Sequence, residues 1–302
     1  MAWGLITYQD AARREDLLDV IGDISPDETP LMTLFGTSEA KNTLHEWLEY
    51  NISRPTSVSV DAEGADTVFS DLTQPSRVNN VTQIIKQPIQ VSRTERKVNV
   101  AAMGDPYAWQ KADGLRQLKM KMEYSILNAV KASGSSGSAR QMDGIDAFIT
   151  SVVTNRDSGT SFSEQELNDM TADAYDTVRA DKIFDMVLCT VRIKQAVAGF
   201  GGNATRYIDA KERRLTKDIL VYDSAVGSHR IMHHRDVRND AGSTTVYGLR
   251  EDLHKVAYLD KPMFEELGKI GDADRGHWVT EFTLEVLEES GDLKRTGYAQ
   301  AG

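Results

Sequence analysis

The chain has 302 residues, of which 40% are hydrophobic and 27% charged, enough apolar material for one large domain or two ordinary ones. A formal charge of -11 argues against wrapping of nucleic acid, because sequence-independent affinity for phosphate comes from Lys and Arg. No apolar run approaches the ~20 residues of a membrane helix, and the single cysteine, Cys189, excludes a disulfide within the chain. Cys189 lies in the apolar run Met186–Thr190, which predicts a small buried side chain.

The first 43 residues are predicted to form an arm. Arg14–Ile21 is a short amphipathic run, and Thr29 followed by a proline is typical of a helix start, so a second short helix is expected over Leu31–Phe35. The Thr29 hydroxyl is expected to cap its free amides. Two short helices on a polar strap bury little against their own domain, and we expect them to need a partner surface.

The segment from Leu44 to Val100 is predicted to contain an extended hairpin. Alternating polar and apolar residues, as in Thr56–Val60 and Ile89–Ser92, indicate strands. No Lys or Arg lies between Arg54 and Arg77, and the chain there is acidic with one aromatic residue: Asp61, Glu63, Asp66, Phe69 and Asp71. This composition favours an exposed tip flanked by strands, and a solvated surface loop is the alternative that the local pattern leaves open.

The most regular helical pattern follows Asp105. Apolar residues recur at spacings of three and four: Leu115, Leu118, Met122, Ile126 and Val130. They predict a helix over Pro106–Ala132, about 40 Å long, which would brace the structure from side to side. The Gly- and Ser-rich run Ser133–Ser138 is predicted to be a flexible crossing into the second half.

The second half is predicted to mix helices and strands, so the fold class is α+β. Ser163–Glu166 is a capping box for a helix that runs to about Val178, and Phe184–Thr190 is suited to a central buried strand. Val191–Phe200 is predicted to be a helix ended by glycines. The later predicted strands are Thr205–Asp209, Asp218–Tyr222, His229–His233, Val256–Tyr258 and Thr280–Val286.

Four histidines form the best candidate for a metal site: His229, His233, His234 and His254. In a strand, however, His229 and His233 share one face while His234 points the other way, and no cysteine or suitably spaced carboxylate completes a ligand set. Ordinary surface or interface histidines are the preferred interpretation. The glycine runs lack the lysine of a phosphate loop. No catalytic, cofactor-binding or metal-binding residue is therefore assigned.

The order of these parts resembles the HK97-type shell fold of tailed-bacteriophage major capsid proteins, which encapsulins and the floor of herpesvirus capsids also use. Three segments are similar to one family of phage major head proteins: Ile24–Leu31, Gly227–Met232 through Glu265–Asp272, and Trp278–Val286. The resemblance covers nearly the whole chain. It rests on the order of elements and on no catalytic signature.

The resemblance implies a division of the chain into the parts of this fold. These are an N-terminal arm (1–43), an extended loop or E-loop (44–100), a spine helix with the start of the peripheral domain (101–143), an axial domain (144–254) and the C-terminal strands of the peripheral domain (255–302). It also implies a non-enzymatic protein without cofactors that assembles with itself into hexamers and pentamers of an icosahedral phage head.

Location and partners follow from the same resemblance. The head would enclose double-stranded DNA without sequence-specific binding, and it would assemble in the bacterial cytoplasm to become the virion shell. No contact with a membrane is expected. Scaffolding, portal and decoration proteins are candidate partners. Relatives whose subunits are covalently cross-linked in the shell use a lysine on the extended loop, but no lysine lies between Lys41 and Lys86. We therefore expect a shell held by noncovalent contacts.

The hairpin is expected to lie over the spine helix and peripheral domain of a neighbouring copy. On the hairpin side the candidate contacts are Asp61, Glu63, Asp66, Phe69 and Asp71. On the neighbour they are Arg116, Lys119 and Lys121. Exposed pairs of this kind are worth only about 0 to 1 kcal/mol each, so they would set register more than strength.

Three rival functions remain open at this point. An encapsulin-like nanocompartment shell shares the fold and differs mainly in cargo. An α/β metal-dependent enzyme using the histidines would bind zinc and stay a monomer or small oligomer. An adaptor or tail component would form rings or tubes but no closed particles.

Overall fold

The computed structural model describes residues 29–50, 57–58, 60–67, 74–97, 105–178, 183–200, 221–240, 243–269 and 271–299. The helices in these ranges are α1 (Pro30–Leu34), α2 (Arg93–Lys97), α3 (Pro106–Asn128), α4 (Ile145–Phe148), α5 (Glu164–Val178) and α6 (Val191–Ala198). The first strands are β1 (Gly36–Glu39), β2 (Leu44–Glu49), β3 (Ser76–Val81), β4 (Gln83–Ser92), β5 (Val153–Thr160) and β6 (Met186–Cys189). The later strands are β7 (Val221–Asp223), β8 (Ser228–His233), β9 (Asn239–Asp240), β10 (Ser243–Leu249), β11 (His254–Leu267), β12 (Ala273–Val286) and β13 (Leu293–Tyr298). The predicted helix Arg14–Ile21 and strand Thr205–Asp209 lie outside the described residues.

The described residues form two compact units, each built from separate stretches of chain. The first unit comprises residues 29–43, 81–147 and 255–285, and the second comprises 44–80, 148–254 and 286–299. The sequence grouped 255–302 in one domain, but β13 belongs to the second unit because it pairs with β10 and β5. Similarly, β4 falls within the predicted extension 44–100, yet it pairs along its length with β12 in the first unit.

In the first unit, helix α3 packs on one face of a four-stranded sheet with the order β1-β11-β12-β4. The predicted apolar stripe of the helix is confirmed at Leu115, Leu118, Met122 and Ile126, all of which are fully buried. The indole N–H of Trp278 donates to the Lys111 carbonyl (2.8 Å). At Gly114, a Cβ would lie 3.1 Å from Ile89, so the absent side chain lets the helix approach the sheet closely.

Helix α3 is shorter at its C-terminal end than the sequence predicted. It starts where expected, because the Asp105 carboxylate accepts from the Tyr107 amide (3.1 Å), but it ends at Asn128 and leaves Val130 63% exposed. The predicted flexible crossing is also wrong. Ser135 and Ser138 exchange backbone hydrogen bonds, and residues 132 and 141 form a β-bridge, so Ser133–Ser138 is an ordered turn.

Helix α1 has its N-terminal cap supplied by α3. The sequence assigned this role to Thr29, but the Thr29 side chain makes no cap hydrogen bond. Instead the fully buried Glu123 carboxylate accepts from the amides of Leu31 (2.7 Å) and Met32 (3.0 Å). Free amides at a helix start are partial positive charges that favour a carboxylate. A residue 92 positions away therefore fixes the helix.

The second unit is built on a mixed sheet with the strand order β5-β13-β10-β6-β8-β7, on which β9 also pairs with β10. Helix α5 contributes Leu167, Met170 and Ala174 to its core, as predicted. Strand β6 is buried at every residue, which confirms the prediction of a central strand. Cys189 is fully buried, and burial raises the pKa of its thiol to about 12. No helix in the described part of the chain is long and apolar enough to span a membrane.

A buried charge network joins α5 to β13 and β5. Arg295 is 1% exposed, and its guanidinium donates to the carboxylates of Glu166 (2.9 Å) and Asp173. The Tyr298 hydroxyl (2.9 Å) and the Arg156 guanidinium (3.0 Å) donate to the same Glu166 oxygen. Five side chains thus form one network, in which Arg295 and Glu166 are the buried centre and neither charge is isolated.

Candidate assembly surfaces

Strands β2 and β3 form a two-stranded sheet in which Trp47 is the buried anchor. The Ser76 hydroxyl lies 3.4 Å from the Glu49 carbonyl, and the Thr82 amide donates to the Thr43 carbonyl, so the strands run in opposite directions as a hairpin. The Trp47 indole N–H donates to the Val286 carbonyl (2.8 Å). Its ring lies 6.2 Å from that of Phe148. These contacts hold one face of the hairpin to the rest of the second unit.

The opposite face of the hairpin exposes apolar side chains. Side chains alternate between the faces of a strand, and the residues alternating with Trp47 include Leu44, Leu48 and Tyr50, all of which are exposed. Beyond the strand, Val58 and Val60 are 83% and 88% exposed. Single exposed apolar residues are ordinary, but several on one extension mark an interaction surface.

The acidic residues predicted for the hairpin tip are exposed where the structure describes them. Residues 62–65 form a turn in which the Ala65 amide donates to the Ala62 carbonyl (3.0 Å), and Gly64 supplies the positive φ that the turn requires. Asp61, Glu63 and Asp66 lie on or beside this turn. None of the three forms a salt bridge with another described residue. Phe69 and Asp71 lie outside the described residues.

The cations predicted to receive this tip differ in their surroundings. The Lys121 ammonium donates to the Gln87 side chain (2.5 Å) on β4 of its own subunit. Lys119 is partly buried, and desolvation lowers the pKa of its ammonium. Arg116 is exposed on α3. Exposed Trp109, Met120 and Tyr124 lie on the same helix, and the sequence analysis did not single them out.

The histidines do not form a metal site among the described residues. His229 lies between the Phe184 carbonyl (2.9 Å) and the Ser224 hydroxyl (2.8 Å), whereas His234 accepts from the Asp236 amide (3.0 Å). His254 pairs with Asp292 at 3.1 Å. The prediction of surface or interface histidines is wrong for His229, His234 and His254, which are buried. Only His233 is exposed. Each buried ring has its own polar partner, as burial of an imidazole requires.

The comparison with protein families identifies this architecture. The model of the SU10 major capsid protein family matches residues 5–297. The chain belongs to the SU10 major capsid protein family. This SU10-type subunit is therefore a structural protein of a phage head shell, and it is not an enzyme.

Solved structures show the same HK97-type fold. The chain aligns with a protein of Mycobacterium phage Che8 at a TM-score of 0.57 and 15% identity, covering 98% of this chain and 93% of that one. It aligns with the capsid of Myoviridae phage XM1 at 0.56 and 11%, covering 89% and 91%. The SrpI encapsulin of Synechococcus elongatus PCC 7942 aligns at 0.57 and 10%, covering 91% and 89%. No curated protein matches the sequence.

Family and fold together decide between the functions that the sequence left open. The encapsulin shares the fold, as expected, but the family match is to a phage major capsid protein, which fits the main prediction best. The α/β metal-dependent enzyme is excluded by the family. The SU10-type subunit forms the virion shell by assembling into an oligomeric capsid.

Proposed function

We propose that the subunit assembles as hexamers and pentamers into an icosahedral head that encloses double-stranded DNA, and that the hairpin of one copy lies across the helix-and-sheet unit of the next. The observation that carries this proposal is the exposed apolar surface on the hairpin, with Val58 and Val60 more than four-fifths exposed. A closed shell needs similar contacts in rings of five and six copies, which an extension accommodates better than a flat patch.

Burial of this surface would supply the driving force for association. Apolar area removed from water stabilises by about 25 cal/mol per Å², so each fully covered valine contributes about 1.5 kcal/mol or more. A capsid repeats this contact in every copy. The acidic turn residues would then orient the hairpin against basic groups of the neighbour, for which Arg116, Lys119 and Lys121 of α3 are the sequence-based candidates.

Replacement of both exposed valines tests the proposal. We expect Val58→Ser/Val60→Ser to leave the subunit folded but to prevent closed particles, because the two side chains are 83% and 88% exposed and contribute little to the core of their own subunit. The measurement is the fraction of chain that sediments as particles, with negative-stain images of the same fractions.

Val191→Ser/Val221→Ser is the matched control, because these valines are also exposed but lie on α6 and β7, outside the hairpin. The control should assemble normally. Closed particles of normal yield from the Val58 and Val60 variant would contradict the proposed role of the hairpin.

The absence of lysine between Lys41 and Lys86 leads to a second prediction. A shell without a cross-linking lysine on its extension should dissociate completely into single chains when boiled in detergent. Denaturing gel electrophoresis of purified particles is expected to show only the 33.5 kDa chain. A ladder of multiples that survives boiling under reducing conditions would show that another residue forms the cross-link.

Scaffolding, portal and decoration proteins remain candidate partners of the shell. Co-expression with neighbouring genes, followed by microscopy, would identify which of them the closed head requires. Extraction of nucleic acid from the particles would distinguish a DNA-filled head from a compartment loaded with protein.

A further inference from the structure

One face of the sheet in the first unit is left open by the described residues. Helix α3 covers the face that carries Ile89, Val91 and Trp278. Side chains alternate along a strand, so the residues next to these in β4 and β12 point to the opposite face of the sheet. On β4, Ile84, Lys86 and Pro88 are all exposed.

The strand register places two lysines on either side of a valine on this open face. Lys86 of β4 is opposite Val279 of β12. Three contacts between β11 and β12 fit one register: the Thr280 hydroxyl donates to the Asp260 carbonyl (2.9 Å), Lys255 pairs with Glu285 (3.9 Å), and the Tyr258 ring lies 6.4 Å from that of Phe282. In this register position 260 is opposite 280, and Lys261 is opposite Val279. Residues opposite one another share a face, and two strand spacings separate the lysines by about 10 Å.

The same register places further apolar and cationic residues on this face, in the next two rows along the strands. Pro88 is opposite His277, and the count from 260 and 280 places exposed Met263 beside His277 as well. Arg275, opposite Gln90, lies on the same face one row further along. We call Lys86, Lys261, Met263, Arg275 and Val279 the open-face cluster.

Among the described residues, the cations of the open-face cluster form no salt bridge, whereas Glu281 on the same face pairs with Arg140 (2.8 Å). Glu265, opposite Arg275 in the same count, lies 3.3 Å from the His277 ring. Within the described part of the chain, Lys86, Lys261 and Arg275 form no salt bridge, and the Arg275 Nε is buried without a hydrogen-bond partner. Lys86 and Lys261 therefore place positive charge without an acidic partner among the described residues on either side of Val279.

We propose that the open-face cluster receives the segment Val58–Asp66 of a second copy of this chain, an inference that rests on the proposed function. The two surfaces complement each other in charge and polarity. The segment offers unpaired Asp61, Glu63 and Asp66 beside exposed valines, and the cluster offers unpaired cations around Val279 and Met263. Covering one with the other removes apolar area from water and pairs charges on both sides.

The contact is made through side chains and not by strand addition. Strand β1 pairs with β11 only as far as Tyr258, so the outer edge of β11 beyond it has no strand in the described residues. That edge carries Pro262, which lacks an N–H group, and charged residues on both sides of it. Proline and charge on an edge strand oppose pairing with another strand.

Charge reversal on the two surfaces tests this assignment. We expect Lys86→Glu/Lys261→Glu to raise the chain concentration at which particles form by about tenfold, because like charges would then face each other. Asp61→Lys/Glu63→Lys should have the same effect. A chain carrying all four substitutions should recover most of its assembly, since the lysine and carboxylate charges that were exchanged again have opposite signs across the contact. The readout is sedimentation across a concentration series, with circular dichroism of the unassembled chain as the check on folding.

The helix lysines provide the matched comparison. Lys119→Glu/Lys121→Glu combined with Asp61→Lys/Glu63→Lys should not regain assembly. If that combination recovers and the open-face combination does not, the receiving surface is α3, and the present inference is overturned while the proposed function stands. The inference also fails if Lys86→Glu/Lys261→Glu leaves self-assembly unchanged while the valine variant blocks it. Loss of binding to another head protein alone, with normal self-assembly, would likewise contradict it.

A milder variant covers the case in which the reversed chains do not fold. Lys86→Gln/Lys261→Gln removes the charges without introducing repulsion. Assembly of this variant should be less sensitive to salt than assembly of the wild type, because fewer charge pairs are screened. Equal salt sensitivity of the two proteins would overturn the inference.

Discussion

Arg295→Met should lower the free energy of unfolding of the unassembled subunit by about 3–5 kcal/mol, the cost of removing one partner from a buried ion pair. Methionine retains most of the volume but leaves the Glu166 and Asp173 carboxylates without their buried cation. Glu166 would suffer most, because its side chain is largely buried whereas that of Asp173 is half exposed. Chemical denaturation followed by circular dichroism measures the loss.

Arg156→Met is the matched control for this prediction. Arg156 donates to the same Glu166 oxygen but is about one-third exposed, so water can replace its contact and the expected loss is about 1 kcal/mol or less. A second comparison removes the Glu166 charge that Arg295→Met leaves without its buried cation. Glu166→Gln in the Arg295→Met background should recover part of the stability, and a further loss of stability would show that the charge network is not the cause.

The second large effect concerns the pH dependence of stability through His254. Its Nδ1 lies 2.7 Å from the Arg250 carbonyl and its Nε2 lies 3.1 Å from the Asp292 carboxylate, with both side chains fully buried. A neutral ring can donate to only one of these acceptors and would turn a lone pair toward the other. The imidazolium donates to the Arg250 carbonyl and sets its positive charge beside the Asp292 carboxylate, a charge contact that is not aligned as a hydrogen bond.

The environment of the ring has opposing effects on its protonation. Burial acts against the charged ring, but the Asp292 carboxylate, the Arg250 carbonyl and the more distant Asp185 favour it, and the pKa of His254 is raised above its ordinary value of 6.5. The Asp292 carboxylate also accepts from the Arg250 amide (3.0 Å). The protonated ring and the carboxylate therefore stabilise the same turn.

Stability of the unassembled subunit should consequently fall as pH rises. The pKa of His254 is higher in the folded than in the unfolded chain. Its contribution to the free energy of unfolding is therefore complete below pH 6.5 and is lost as pH rises through the raised folded-state pKa. Asp292→Asn should remove this contribution and cost about 3–5 kcal/mol below pH 6.5, with a much weaker pH dependence above it. Denaturation midpoints across a pH series provide the measurement.

His233→Gln is the control for the pH experiment, because His233 is exposed at the end of β8. It should retain the pH dependence of the wild type. If the Asp292→Asn variant kept the same dependence as the wild type, another titrating group would be responsible for it.

The sequence pattern predicted those helices and strands that are specified by residues close together in the chain. The spacing of apolar residues in α3 and α5 specifies one buried face, and Ser163 and Asp105 mark the helix starts because their side chains can reach amides two or three residues ahead. The continuous apolar run at β6 required a buried strand for the same reason. The acidic, lysine-free composition after Arg54 was visible without any structure.

Features that depend on distant residues were not visible in the sequence. Glu123 resembles any surface glutamate of an amphipathic helix, and only the packing of α1 shows that it is a buried cap. Arg295 and His254 are buried because their acidic partners arrive from other elements. The open-face cluster depends on the register of three strands, and spacing within one strand does not reveal that register.

The interleaving of the two units constrains how a newly made subunit can mature. The first unit needs residues up to 285, and the second is not complete until β13 has been added. Neither can finish folding on the ribosome while only the N-terminal half has emerged, unlike domains that follow one another along a chain. A subunit that can join a shell therefore requires β13 to have emerged, so chains made only as far as the first unit are not yet able to be incorporated.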